Sequence, residues 1–563
     1  MVEQPSASWE CSDVVAAALA GLGCRYLALN PGASLRGLHD SLVNPIGPAP
    51  ELLLCLHEEI AVAVAHGYAK TAGRPMGVGV HDTVGLLHAS MAIFNAWVDR
   101  VPILVLVGTG PLDASKRRPW IDWIHTVVDQ TAAVRDWTVW TDQPIGEAAL
   151  VESIRAGWSA CQGSPAGPAV LGLDALLQEQ ACTEPDVALA GLEPDVRGRV
   201  APDPAIVERA AAALAEAQSP VIVTDRPLDA DGSALVIELA ERTGAAMVEL
   251  GGGISFPVGH PHDCSDRSGA ALARADVVLF VEARDPAWRP PGGAVGELPT
   301  AIVVGLGNAK DRSWMRTEST GVGRIELVAD ATLALAALAG ATSPTRPALA
   351  PAFADLAGVD TVPADLPGEA PFHPGQVGRE LSRALDGTPF LVANGSLGGW
   401  ARRTLGLAPG QVLGRSGGEG LGYGPGASVG AALAVRDDAP GTVVIDLQGD
   451  GDLLYTPQAL WTATHHGIPL LVLVEANGTY ERDVYHQRNV AAARGRPGAR
   501  VGPGVIIDAP PIDIAALARA QGCEAWEAPS DLGALAAVLS KAVSAVDGGA
   551  VAVVEVPVRR TVP

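Results

Sequence analysis

The sequence is short of aromatic residues, cysteine and positive charge, and each shortage excludes something. Aromatic residues are 4% of 563, with twelve Trp but only six Tyr and six Phe, so the core is built chiefly from Ala, Val and Leu. The seven cysteines include no C-x-x-C pair, which excludes the usual zinc-ribbon arrangement. An odd, scattered set suits a reducing cytoplasm, where thiols serve as small hydrophobes. Lys plus Arg number 39 against 63 Asp plus Glu, a net charge of −24. That balance argues against nucleic-acid binding, which needs basic surface, and fits a soluble acidic protein. Apolar runs such as residues 102–107 are too short to cross a membrane. The opening MVEQPSASWE is polar and acidic, unlike a secretory leader. No G-x-x-x-x-G-K-[ST] phosphate loop occurs, and no G-x-G-x-x-G follows a strand.

What is present is a globular composition, 48% hydrophobic and 18% charged. The length allows three or four domains with sizeable cores. Short Val/Ile/Leu runs at 102–107, 221–223, 277–281, 301–304, 443–447, 469–474 and 551–554 alternate with Ala/Leu-rich stretches of helical length, among them 13–22, 59–71, 205–217 and 532–546. Continuous apolar strands between helices predict parallel sheets covered on both faces, an α/β fold. Pro-containing stretches without a sustained period, at 183–204 and 341–374, divide the chain into about 1–185, 186–345 and 370–563.

The most informative stretch lies in the last segment. A hydrophobic strand from Val443 runs into Gly449-Asp450-Gly451, and a second, from Leu471, ends in Ala476-Asn477-Gly478-Thr479-Tyr480. Glycines let backbone approach a ligand closely, and strand C-terminal ends are where α/β sheets bind ligands. Asn477 lies 27 positions beyond Asp450, the length of a strand–helix–strand unit. An Asp carboxylate, an Asn amide oxygen and a backbone carbonyl are hard oxygen donors that suit Mg²⁺ completed by phosphate oxygens, hence a bound diphosphate. Taken singly, G-D-G and Asn-Gly are ordinary turns; the conjunction behind two buried strands is specific.

This pattern resembles the metal motif of thiamine-diphosphate-dependent enzymes, in the acetolactate synthase and benzoylformate decarboxylase group. The resemblance implies Mg²⁺ on Asp450, Asn477 and the Thr479 carbonyl, with Gly449 and Gly451 beside the diphosphate. The first Asn of the family's pair is Ala476 here. An independent match is His57-Glu58-Glu59 leading to Gly67-Tyr68-Ala69. It implies that Glu58 hydrogen-bonds N1′ of the aminopyrimidine and so promotes the ylid; a carboxyl group in a dry pocket can share that proton. In Gly418-Glu419-Gly420-Leu421, Leu421 fits the wedge beneath the cofactor and Glu419 the residue whose carbonyl meets the 4′-amino group. Many relatives carry Gly where Glu419 stands.

The resemblance spans all three segments. It implies three doubly wound parallel-sheet domains: pyrimidine-binding, central Rossmann-like and diphosphate-binding. Asn30-Pro31-Gly32, His81 and Asn95-Ala96-Trp97 lean toward benzoylformate decarboxylase, with His81 on its active-site histidine and a proton-transfer role. That enzyme's substrate serine is Ala33 here, with Ser34 adjacent. Its apolar residues after the metal strand are replaced by Glu481 through His486, so Arg482 is expected to clamp an anionic group and His486 to donate a proton. Arg117, Arg118, Trp120 and Trp123 form a basic-aromatic loop, read here as packed Trp with exposed Arg.

The implied activity is C–C bond cleavage of a 2-oxo acid, or acyloin-type lyase chemistry, by ylid attack and an enamine. Acetolactate-synthase-like carboligation and 2-hydroxyacyl-CoA cleavage share the early steps and stay open, as does the choice among 2-oxo acid, aldehyde and acyl substrates. A non-catalytic homologue is disfavoured by the joint presence of Glu58, Asp450 and Asn477. The family further implies a homodimer or homotetramer with each site at a subunit interface.

Overall fold

The computed structural model describes residues 8–284, 300–307, 324–344, 348–395, 397–496 and 502–560. Residues 1–7, part of the stretch read above for a leader, lie outside it. The chain forms two compact units, one of residues 1–359 with 407–420, the other of 360–406 with 421–563. Together they hold three α/β domains, each built on a parallel sheet.

In the first unit one sheet comprises β1 (Tyr26–Leu29), β2 (Glu51–Leu54), β3 (Met76–His81), β4 (Ile103–Thr109), β5 (Trp140–Asp142) and β6 (Pro168–Asp174), in the order β2-β1-β3-β4-β6-β5. Its central strands are buried along their whole length, as their unbroken apolar runs require when helices cover both faces. The chain turns outward from β1 to β2 and returns to β3 on the other side of β1. The C-terminal ends of β1 and β3 therefore flank the switch point at which ligands bind in such sheets.

A second sheet in this unit comprises β7 (Pro220–Thr224), β8 (Ala246–Glu249), β9 (Val277–Val281), β10 (Thr300–Gly305) and β11 (Arg324–Val328), in the order β11-β10-β9-β7-β8. Separate apolar clusters cover its two faces. At its own switch point, between β7 and β9, Asp225 pairs with both Nε and Nη2 of Arg284, at 3.0 and 2.7 Å. Arg226 donates to the Val98 carbonyl at 2.8 Å, and Arg100 pairs with Glu282 at 2.8 Å, so ionic contacts join the two sheets of the unit.

The second unit carries β12 (Phe390–Asn394), β13 (Val443–Gly449), β14 (Leu470–Ala476), β15 (Glu524–Glu527) and β16 (Val551–Pro557), in the order β12-β13-β14-β16-β15. Gly449 lies in register with Glu475, which puts the ends of β13 and β14 side by side. All seven cysteines are buried and none is in a disulfide. Among the described residues no helix is long and apolar enough to cross a membrane.

Candidate active site

In the first unit the helix Glu58–Ala72 begins directly after β2. His57 caps it, its Nδ1 accepting the Glu59 N–H at 3.2 Å, and Gly73 ends it at φ 66°. Glu58 thus occupies the first turn, where a carboxylate is favoured by the helix dipole, yet its side chain is buried. Its Oε2 lies 3.2 Å from His88 Nδ1, and the His88 ring stacks on His57. Gly85 faces the other oxygen, and a Cβ there would stand 3.0 Å from Oε1. Glycine at this point leaves the carboxyl room to meet a ligand.

His81 ends β3 and precedes the helix Asp82–Asp99. Gly32 packs so tightly against it that a Cβ would fall 2.2 Å from both Cβ and Cγ of the histidine. Nδ1 of His81 receives the Ser34 N–H at 3.4 Å and lies 2.8 Å from Ser34 Oγ, while Nε2 lies 3.1 Å from His125 Nδ1. Burial pushes the imidazole below its ordinary pKa, opposed by the carboxylates of Asp82 and Glu58 and assisted by His125 and Arg118. Asp82 holds a left-handed backbone at φ 46°, fixed by the Gly110 N–H on its carboxylate at 3.3 Å. Of the two candidates after Gly32, Ala33 is exposed and Ser34 is buried against His81.

The segment carrying Glu419 belongs to this unit. Gly418 and Gly420 pack on Phe94, Asn95 and Met91, the Gly420 N–H reaches Asn95 Oδ1 at 3.4 Å, and Glu419 takes φ 52° with its side chain exposed. The basic-aromatic loop departs from the sequence expectation in its indoles, which are exposed. Arg117 donates to the Pro111 carbonyl at 2.8 Å and Arg118 grips Asp122 at 2.8 and 3.0 Å, whereas Trp120 and Trp123 are 78% and 66% exposed. The short turn Ile121–His125 offers too few buried positions for two indoles once Asp122 is drawn inward to meet Arg118.

In the second unit Asp450 opens a short helix at the end of β13 and is buried. Its Oδ1 accepts the Gly451 N–H at 2.8 Å and its Oδ2 the Gly478 N–H at 2.7 Å, which ties it to the loop after β14. In that loop Asn477 Oδ1 accepts the Thr479 N–H at 3.0 Å, and Thr479 is held by the Val505 carbonyl at 3.0 Å. Arg560 clasps the Asn477 carbonyl from outside at 2.9 Å. Burial pushes the Asp450 carboxyl upward against these N–H donors. Burial, together with Glu481 and Asp450, pushes Glu475 up to about 8. Such crowding of carboxyl groups around an Asn and a backbone loop fits a hard divalent cation. Ala476, where the family pattern has its first Asn, lines a cavity of about 240 Å³ with Asp450, Asn477, Gly478, Asp508 and Glu555.

Leu421 is 40% exposed just before the helix Tyr423–Asp438. Arg482 and His486 lie on the exposed face of the helix Glu481–Ala493, whose Val484 is buried. Sequence reasoning missed His125, Glu475 and Arg560. For Glu475 a signal existed, a carboxyl closing an unbroken apolar strand. Nothing in the spacing joins His125 to His81.

Residues 10–133 match the thiamine pyrophosphate enzyme N-terminal TPP binding domain, and residues 393–556 the C-terminal TPP binding domain of the same family, together more than half of the chain. Benzoylformate decarboxylase of Pseudomonas aeruginosa is 27% identical over 508 residues, covering 84% of this chain and 86% of the relative. The acetolactate synthase large subunit IlvG of Mycobacterium tuberculosis is 24% identical over 464 residues, covering 79% and 80%. The fold is shared with the crystal structure of benzoylformate decarboxylase from Polynucleobacter necessarius, at a TM-score of 0.81 and 19% identity over 98% of this chain and 99% of that one. Both cofactor-binding domains being present, the chain belongs to the thiamine pyrophosphate enzyme family, among relatives that include benzoylformate decarboxylase and acetolactate synthase.

Proposed function

We propose that this protein binds thiamine diphosphate through Mg²⁺ and cleaves the C–C bond beside the carbonyl of a 2-oxo acid. The observation that carries the reading is the buried Asp450 carboxylate held by the Gly478 N–H at 2.7 Å against the Asn477–Thr479 loop. Asp450, Asn477 Oδ1 and the Thr479 carbonyl would hold the metal, with Gly449 and Gly451 giving the diphosphate close approach to backbone. When bound, the cofactor supplies a thiazolium that adds to a carbonyl and accepts the electron pair of the broken bond. Glu58 would hold a proton at the aminopyrimidine, in the space that Gly85 leaves open. His81 would move a proton at the substrate. On this reading residues 1–185 take the pyrimidine, residues 370–563 the diphosphate, and residues 186–345 form the central domain.

Carboligation in the manner of acetolactate synthase is the second reading. His81, half-buried and bonded at both ring nitrogens, favours proton transfer and hence decarboxylation or lyase cleavage. Exposed Trp120, Trp123, Ile124, Val127 and Val128 near His125 support a homodimer or homotetramer, since exposed apolar clusters of this size are usually covered. Seven buried thiols, none in a disulfide, support a cytoplasmic location.

The test is a panel of 2-oxo acids, aldehyde pairs and a 2-hydroxyacyl-CoA, run with thiamine diphosphate and Mg²⁺ and scored for CO₂ and coupled products. Release of CO₂ with one aldehyde per 2-oxo acid is the expected result. Coupled product without free aldehyde would move the assignment to a carboligase, and thioester cleavage without CO₂ to a lyase.

A further inference from the structure

We propose that Ser34, His81 and His125 form a proton relay, in which His125 acts through His81; the inference rests on the acid–base reading of His81. A backbone N–H can only donate, so the Ser34 N–H at 3.4 Å marks His81 Nδ1 as the unprotonated nitrogen. The proton of neutral His81 therefore sits on Nε2, where it donates to His125 Nδ1 at 3.1 Å. Ser34 Oγ, 2.8 Å from Nδ1, supplies the inner end of the line. His125 is half-buried, so its ring forms the outer end of the line.

In this arrangement the line moves a proton outward. As Ser34 Oγ takes up a proton given up by the substrate, its own hydroxyl proton passes to Nδ1 of His81, the Nε2 proton passes to Nδ1 of His125, and the Nε2 proton of His125 leaves to water. Both rings are left in the opposite tautomer, set to carry the next proton inward by the same bonds reversed. Each passage moves one proton and no electrons. Such alternation suits a reaction that first gives up a proton and later takes one back. The charged and titratable groups facing His81 are Asp82, Glu58, His125 and Arg118. Burial and the second imidazole both oppose a positive charge on His81. The outer member is held in place because Asp122, one turn before it, takes three bonds from Arg118, at 2.8, 3.0 and 2.8 Å.

The test uses the holoenzyme with ¹⁵N-labelled histidine, comparing wild type with H125N and H125A. Asn can accept the His81 bond but cannot pass a proton, so it separates relay from support. In wild type His81 is expected as the Nε2–H tautomer. In H125N it should titrate at higher pH, since the second imidazole no longer opposes its charge. On the substrate the panel identifies, both variants should lose about 100-fold in kcat with KM little changed, and added imidazole should restore H125A. Unchanged His81 titration in H125N, or wild-type kcat in that variant, overturns the relay. If H81N alone keeps full turnover, the acid–base reading of His81 fails, whatever the spectra show of the pair.

Discussion

Glu58 and Asp450 are two carboxylates buried at the first turn of a helix, and their neighbours separate their tasks. Glu58 has an imidazole on one oxygen and a side-chain-free Gly85 beside the other, whereas Asp450 has backbone N–H groups on both oxygens and the Glu475 carboxyl close by. E58Q should lower turnover at least 100-fold, while thiamine diphosphate with Mg²⁺ still raises the melting temperature. Full turnover of E58Q would remove Glu58 from the chemistry. D450A should abolish that metal-dependent rise in melting temperature, as a chelator should in the wild type. Asp446 lies deeper, its Oδ1 bonded by Asn394 at 3.0 Å, and burial pushes its carboxyl up to about 7. A carboxyl raised above its unfolded value stabilises fully at pH below about 4 and loses that contribution as pH rises through about 7. D446N, which cannot ionise, should therefore gain stability relative to wild type between pH 5 and 8. Urea titrations should show that gap reach on the order of a few kcal/mol at pH 8. A gap independent of pH would show that Asp446 does not titrate there.

At the scale of elements, close approaches set where the chemistry can sit. The loop after β1 passes so near the end of β3 that only glycine fits at position 32. G32A should displace His81 and cut turnover at least tenfold, with far-UV circular dichroism unchanged. Recovery of activity without any shift of the His81 NMR signals would refute the steric argument. The helices Glu58–Ala72 and Asp82–Asp99 are joined at their far ends, where Asp99 Oδ2 meets His66 Nε2 and Lys70 Nζ, each at 3.1 Å. Burial alone would raise the Asp99 carboxyl, yet Lys70, His66 and Arg284 hold it well below the usual carboxylate range. A depressed acid contributes stability above its unfolded value and loses it only as pH falls through the folded one, so this link persists through mild acid. Removing one member of a buried ionic cluster leaves the others uncompensated. D99A should cost about 3–5 kcal/mol by urea unfolding at pH 7.

At the scale of the whole molecule, the exposed Trp120 and Trp123 mark the surface proposed to join protomers. W120S/W123S should shift the sedimentation coefficient toward a monomer and lower activity in proportion, because a site shared between protomers fails when they part. A variant that sediments and turns over like wild type would show that this surface is not the interface.

The sequence by itself determined the α/β class and the places of central strands such as β4, β9, β13 and β14, because an unbroken Val/Ile/Leu run between amphipathic helices has few stable arrangements other than a doubly covered parallel sheet. It also indicated that the chain after Asp450 and the chain at Asn477 adjoin, since one strand–helix–strand unit gives neighbouring parallel strands whose ends meet. The choice of Ser34 over Ala33 was not legible, because a single residue step around a turn decides which side chain faces inward. Nor was the partnership of His81 with His125, which are 44 positions apart and meet only through the placement of β3, β4 and the turn after them. The exposure of Trp120 and Trp123 was hidden for the same reason: local pattern favours burying Trp, and only the tertiary structure shows that Asp122, engaged by Arg118, takes the buried position instead. Periodicity and spacing fix what lies next to what along a strand or across one crossover. Contacts between side chains from separate crossovers depend on packing, and only the tertiary structure decides them.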